Sequence, residues 1–271
     1  MGSKREYQGK TIVITGAAGG LGRAFARRFG FAGAKLSLLD LDAKSVYALA
    51  EELESDGRDC LGMAVDVTDP AACQKAVNLI DDRFGGVDVL INNAGISHRS
   101  LFAQTSLATI RQVMEVNFFG AVNCTRATLD SLIRRKGQII AISTVAGFAP
   151  LIGRTGYSAS KHALHGFFDT LRAELTRAGV TVTIACPGFT RTGLAHSALG
   201  GDGQPVRQTK VTVGRESTPE EAAEGIFRAA EREKRLVVLT SVGKLSRVVS
   251  KFWPSLYERL MTRSIGAEFE R

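Results

Sequence analysis

The sequence predicts an α/β fold, a doubly wound parallel β-sheet flanked by helices, and three observations carry that expectation. Short apolar, β-branched runs recur along the chain, and helix-period segments separate them at βα spacing from residue 10 to about 240. The first such run ends in a glycine-rich turn that opens a helix. A chain of 271 residues is ordinary for one unit of this kind and can bury a substantial core. No internal repeat, low-complexity tract or Pro/Ser linker marks a boundary, so residues 1–271 are expected to form a single domain with its core at about 8–240.

The first element, Lys10-Thr-Ile-Val-Ile-Thr15, reads as a buried strand. It runs into Gly16-Ala-Ala-Gly-Gly20-Leu-Gly22 and then a helical pattern through Ala24, Phe25, Arg28 and Phe29. Strand, glycine turn and helix in this order make a Rossmann-type phosphate site. The glycines permit the tight turn and close approach to a pyrophosphate, and the helix N-terminus offers free N–H groups. Gly16, Ala18, Gly20, Leu21 and Gly22 are therefore candidate cofactor-binding residues.

The second strand, Ala34-Lys-Leu-Ser-Leu-Leu39, ends in Asp40, eighteen residues beyond Gly22. An acidic residue at this distance is expected to hydrogen-bond the adenosine ribose, and its charge would repel a 2′-phosphate. NAD is thus favoured over NADP, with Leu41 rather than an arginine following; Arg23 and Lys44 are the nearest cations in sequence. Asp40 could also cap the helix that Asp42-Ala43-Lys44 begins.

A third strand runs from Leu61 to Val65 and is followed by Asp66-Val67. A fourth, Val87-Asp-Val-Leu-Ile91, leads to Asn92-Asn93-Ala94-Gly95, a small turn that lets a dinucleotide approach. A helix is predicted over Val113-Met-Glu-Val-Asn-Phe-Phe119, and its mid-helix Asn117 has poor propensity, which suits a functional demand. Gly156-Tyr-Ser-Ala-Ser-Lys161 places Tyr157 and Lys161 four residues apart, on one helix face. A free phenol titrates at about 10, and a cation beside it favours the phenolate, as a general acid or base requires. The strand Val180-Thr-Val-Thr-Ile-Ala185 ends at Pro187-Gly188, with Thr190 and Thr192 placed to hydrogen-bond a nicotinamide amide.

These motifs, in this order and spacing, resemble the short-chain dehydrogenase/reductase family over about residues 8–240. The wording Tyr157-Ser-Ala-Ser-Lys-His-Ala-Leu164 is further similar to its hydroxysteroid and retinol-dehydrogenase-like members. The resemblance implies that Tyr157 exchanges a proton with substrate and that Lys161 lowers its pKa and holds the nicotinamide ribose. It implies that the Asn117 carbonyl retains a water in a proton relay, and that Asp66 and Val67 bracket adenine beside Asn93, Ala94 and Gly95. The family's substrate-orienting serine lies thirteen residues before the tyrosine, which here is Thr144. Threonine keeps the hydroxyl that would bond a developing oxyanion. Strand alternation would point Ser143 to the opposite side, and Ser143 is held as the alternative.

Two regions lie outside this chemistry. Residues 193–216 contain Gly200-Gly-Asp-Gly203 and Pro205; the resemblance implies a substrate lid there, and a plain disordered loop fits as well. From Arg232 to Arg263 there are eight Lys or Arg against two Glu, six of the chain's net +8. Within the extension 244–271, Leu245, Val248, Val249, Phe252, Trp253, Leu256, Tyr257 and Leu260 recur at helical spacing, broken at Pro254. A basic amphipathic helix of this kind either packs on the domain or a partner subunit, or makes weak peripheral membrane contact.

The helix from Tyr157 to about Ala178 has a second apolar face at Ala163, Leu164, Phe167, Phe168, Leu171 and Leu175. The resemblance implies a homodimer or homotetramer through it, with a monomer covered by the C-terminal helix left open. Four scattered cysteines, no secretory h-region and no apolar run of bilayer length lead to an expectation of free thiols in the cytoplasm. His98, His162, His165 and His196 show no metal-ligand pattern and read as solvated or capping residues. No metal and no nucleic-acid partner is expected. The expected function is NAD(P)-dependent interconversion of an alcohol and its carbonyl compound by hydride transfer. Phe102, Phe148 and Phe189 point to a lipophilic substrate. A β-ketoacyl-type reductase using NADPH, or a nucleotide-binding interaction protein without turnover, are the alternatives.

Overall fold

A computed structural model describes residues 4–191, 198–206, 211–212 and 214–269. The chain runs β1 (Thr11–Thr15), α1 (Gly20–Phe31), β2 (Lys35–Asp40), α2 (Ala43–Ser55), β3 (Cys60–Ala64), α3 (Pro70–Phe84) and β4 (Val89–Asn92). It continues through α4 (Leu107–Met114), α5 (Gly120–Arg135), β5 (Gln138–Ile142), α6 (Thr155–Leu175) and β6 (Thr181–Cys186). The last elements are α7 (Pro219–Glu231), β7 (Leu236–Val238), α8 (Ser241–Phe252) and α9 (Pro254–Ile265). Seven parallel strands pair in the order β3-β2-β1-β4-β5-β6-β7. The order reverses between β1 and β4, which opens a crevice at the strands' C-terminal ends.

Burial explains why the strands are apolar throughout. Both faces of the sheet are covered, so every residue of β1 is buried. Ile12 and Ile14 join the cluster beneath α1, α2 and α7, where Tyr7 and Phe227 meet Phe29 edge to face and Phe25 packs tilted against it. Val13 points the other way, into the cluster under α3, α5 and α6. The five strands read from the sequence are present within two residues of their expected ends. β4 starts later because Asp88 turns its carboxylate inward to accept the Thr11 N–H at 3.0 Å and Arg135 at 3.1 Å. The sheet also contains β5 and β7, which the strand pattern had not supplied; β7 has three residues, too few to show a period.

Side-chain caps start several of the helices. Asp42 caps α2, Asp69 caps α3 ahead of Pro70, and Thr218 forms a reciprocal capping box with Glu221 at α7. α1 differs: its N-cap is Gly19, with no side-chain cap, so its first N–H groups point into the crevice. The helix predicted over 113–119 is corrected by the structure. α4 stops at Met114, and Glu115–Phe119 form a π-helical turn that runs on into α5. Such single wide turns recur at functional sites because they aim one side chain off the regular register.

Candidate active site

One cavity of about 1420 Å³ follows the C-terminal edge of the sheet, from Asp40 and Asp66 at one end to α8 and α9 at the other. At the first end the glycine turn lies against the turn after β4. Gly16 has φ +62°, and a Cβ there would sit 2.8 Å from the Ala94 Cα; a Cβ on Gly22 would meet the Gly16 carbonyl oxygen at 2.2 Å. Asn93 Nδ2 donates to the carbonyls of Thr15 and Gly16, at 2.9 and 3.0 Å. The Thr15 hydroxyl accepts the N–H groups of Asn93 and Ala94, at 3.0 and 2.9 Å. Thr15 is thus a positioning residue that motif reading did not single out.

Asp40 ends β2 beside this turn and accepts the Ala18 N–H at 2.9 Å and the Asp42 N–H at 3.0 Å. It braces the glycine loop while lining the cavity. Asp42, not Asp40, caps α2. Arg23 is committed elsewhere, donating to the Ala18 carbonyl at 2.9 Å and lying 3.9 Å from Glu52. Asp66 also lines the cavity, with its carboxylate bonded to Thr68, and Val67 is buried beside it. A turn too tight for a Cβ at Gly16 or Gly22, an uncapped helix start and an acidic strand end fit a dinucleotide.

The middle of the cavity gathers the residues named from the Tyr-x3-Lys motif. Tyr157 and Lys161 both line it, one turn apart on α6, with Lys161 6% exposed. The ammonium donates to the Ile142 carbonyl at 3.0 Å and lies 5.8 Å from the Tyr157 ring centre. The expected lowering of the Tyr157 pKa by Lys161 is corrected here. Burial pushes the phenol up to about 12, and the neighbouring cation that works against it is Arg154. Burial also brings Lys161 down to about 8, since an ammonium turned onto a single carbonyl is poorly solvated.

Asn117, 1% exposed, projects from the π-helical turn. Its side chain accepts the Ile96 N–H at 2.7 Å and donates to the Ile96 carbonyl at 2.9 Å and the Ser160 hydroxyl at 3.0 Å. It ties the segment after Gly95 to α6, and a Cβ on Gly95 would approach it to 3.1 Å. Past β5, Ser143 and Thr144 part ways. The Ser143 hydroxyl meets His165 Nε2 at 3.0 Å, with the Cys186 thiol 3.8 Å from the same nitrogen. Thr144 is extended, and both residues line the cavity.

Pro187, Gly188 and Thr190 follow β6 along the cavity wall, and the Thr190 hydroxyl donates to the Gly188 carbonyl at 3.2 Å. Thr192 and His196 lie outside the described residues. Part of the 193–216 segment is described, and it is packed rather than loose. Leu199 exchanges backbone bonds with Ser97 and Arg99, and the Gly201 carbonyl accepts the Ser106 N–H. Two expectations fail. Of the three phenylalanines named for a lipophilic pocket, Phe189 lines the cavity, whereas Phe102 is exposed and Phe148 packs on His165. His98 and His165 are not solvated: His98 is fully buried and caps α6 by accepting the first-turn N–H of Tyr157 at 3.3 Å, whereas His165 neither caps nor faces solvent and backs Ser143.

The far wall comes from α8 and α9, which contribute Leu245, Val249, Tyr257 and Leu260. Tyr257 is buried, whereas Leu245, Val248, Phe252, Trp253, Leu256 and Leu260 are exposed.

Comparison with known proteins agrees with this geometry. A family model described as short chain dehydrogenase matches residues 10–201. The Mus musculus protein called dehydrogenase/reductase SDR family member 7B is 39% identical over 265 residues, covering 96% of this chain and 82% of that protein. The Drosophila melanogaster protein called dehydrogenase/reductase SDR family protein 7-like is 33% identical over 273 residues, covering 96% and 82%. A crystal structure of a short chain dehydrogenase/reductase from Burkholderia phymatum in complex with NAD superposes with a TM-score of 0.83 at 25% identity. It covers 93% of this chain and 96% of its own.

The buried histidines have a measurable consequence. Burial holds His98 and His165 at about 4, against about 6.5 in an unfolded chain. Between those values the unfolded chain binds protons that the folded one refuses, so stability is full above pH 6.5 and declines as pH falls towards 4. The melting temperature should drop across that window, and the double variant His98→Gln, His165→Gln should flatten the drop. An equally steep profile in that variant would contradict the assignment.

Proposed function

The chain belongs to the short-chain dehydrogenase/reductase family and is an NAD(P)-dependent oxidoreductase, and from that premise we propose that it interconverts a lipophilic alcohol and its carbonyl compound, with Tyr157 as general acid and base. The observation that carries this reading is the convergence of Tyr157, Lys161 and Thr144 on the cavity that the glycine turn opens, with Asn117 buried behind them on Ile96 and Ser160. When bound, the nicotinamide supplies the two-electron chemistry. Backbone from Gly16 to Gly22 and the start of α1 hold the pyrophosphate; Asp40 holds the adenosine ribose and disfavours a 2′-phosphate. Asp66 and Val67 flank the adenine, and Asn93, Ala94, Gly95, Pro187, Gly188 and Thr190 line the remainder.

Tyr157, kept as a phenol by burial, is the proton donor for carbonyl reduction. For oxidation it must release that proton, and Arg154 favours the anion. Thr144 donates to the developing oxyanion, because Ser143 is already engaged with His165. Asn117 holds the Gly95–Ile96 segment and α6 in register. The cavity exceeds the usual 300–1,000 Å³ of a single-ligand pocket, so a second molecule has room beside a dinucleotide. Val145, Leu151, Phe189, Leu245 and Leu260 supply apolar wall, which is what fits a lipophilic substrate.

The exposed apolar crest of α8 and α9 is flanked by exposed Lys244, Arg247, Lys251, Arg259 and Arg263. No helix among the described residues is long and apolar enough to cross a membrane. Peripheral contact with an anionic lipid surface is the reading that this crest supports.

Screening alcohols and carbonyl compounds with NADH and NADPH should reveal turnover. Tyr157→Phe should lower kcat by about 10²–10⁴-fold while nucleotide binding persists. Thr144→Ala should cost far more kcat than Ser143→Ala; the reverse order would move the orienting role to Ser143. Nucleotide binding with no turnover across the panel would instead support the non-enzymatic alternative. Sedimentation with anionic vesicles should fall on adding salt and on the substitutions Phe252→Glu and Trp253→Glu. Equal sedimentation of the variant and the unaltered chain would remove the membrane reading.

A further inference from the structure

The C-terminal tail ends in a buried charge cluster that the reaction as described does not use. Glu268 is on the short 3₁₀ turn after α9 and its side chain is 3% exposed. It accepts two bonds from Arg154 Nη2, at 3.0 and 3.2 Å, and Arg99 Nη1 lies 3.2 Å from the same carboxylate. The side chains of Arg99 and Arg154 are themselves 4% and 10% exposed. The next residue, Phe269, fills the space beside Gly153: a Cβ there would fall 2.0 Å from its ring. The Arg154 guanidinium lies 5.5 Å from the same ring.

Arg154 is the N-cap residue of α6, three residues before Tyr157, and Arg99, Arg154 and Tyr157 line one stretch of cavity. A buried cation, Arg154, therefore acts on the phenol, and the Glu268 carboxylate, 114 residues away in sequence and shared with Arg99, offsets its charge. We propose that Glu268 is a positioning residue for the reaction: acting through Arg154, it sets how much positive charge faces Tyr157 and fixes the start of α6. This rests on Tyr157 being the general acid and base.

The other groups around Tyr157 cannot replace that carboxylate. His98, on the Tyr157 N–H, is held neutral down to about pH 4, and burial keeps Cys186, at the end of β6, a thiol up to about 12. Lys161, one turn further along α6, adds positive charge only, and His165 beyond it is held neutral like His98. Removing the Glu268 charge leaves Arg154 less compensated, so the phenolate should form at lower pH. Removing the Arg154 charge while Glu268 stays paired with Arg99 should act in the opposite sense.

The test is the pH profile of kcat/KM for alcohol oxidation with NAD. Glu268→Gln should move the rising limb by about one pH unit to lower pH, and Arg154→Met should move it by about as much to higher pH. Glu268→Asp, which keeps the charge, should restore the original limb. Limbs that stay put in both folded variants, with or without lower kcat, would overturn the proposal. If only one variant folds, its limb alone decides; failure of both to fold would make the cluster purely structural and overturn it too. Tyr157→Phe serves as the control. Retained turnover in that variant defeats the underlying assignment, whereas an inactive Tyr157→Phe beside unmoved limbs defeats the Glu268 role alone.

Discussion

The turn after β1 must lie against the turn after β4 for anything else in the cavity to be in place. Gly16 reaches Ala94 so closely that a single methyl group would collide with backbone, and Thr15 and Asn93 stitch the two turns together through four hydrogen bonds. This contact occurs where the strand order reverses, so it places an uncapped helix start beside a small backbone-lined gap. The turn after β4 then carries Gly95 and Ile96 onto Asn117, and Asn117 reaches Ser160 on the helix that bears Tyr157 and Lys161. The glycine turn and Tyr157 are connected by a short chain of packed groups.

Electrostatics in this cavity are dominated by desolvation. Burial makes the phenol harder to ionise and the ammonium easier to neutralise, so Tyr157 and Lys161 are drawn towards uncharged forms. A group in that condition is sensitive to small changes in nearby charge, because little water remains to screen them. The cation that acts on the phenol is Arg154 at the start of α6, itself paired with the Glu268 carboxylate. The same desolvation keeps His98 and His165 neutral, so they act as hydrogen-bonding groups that hold backbone and hydroxyl in place.

Much of this was legible in the sequence because it is local. The glycine turn, Asp40 at the end of β2 and the Tyr157–Lys161 spacing are each set by residues close together in the chain. Their periodicity states their geometry. What escaped was long-range. Nothing near His165 in sequence announces Ser143, twenty-two residues away across the sheet, and nothing near Arg154 announces Glu268. The π-helical turn at Asn117 was hidden for another reason: its residues look helical, and only packing against Ile96 reveals the wider register. The phenylalanines misled because composition records apolarity without direction; Phe102 faces solvent.

The account stands on the phenolic oxygen of Tyr157 facing the reactive edge of a nicotinamide held along the glycine turn. A crystal structure of this protein with NAD bound measures that relation directly. The account predicts the pyrophosphate over Gly16–Gly22 and the nicotinamide ring between Thr144 and Tyr157, leaving a substrate atom room within about 3–3.5 Å of both the ring carbon and the phenol. A ring bound at the Asp40 end, or turned away from Tyr157 by the full width of the cavity, would contradict it.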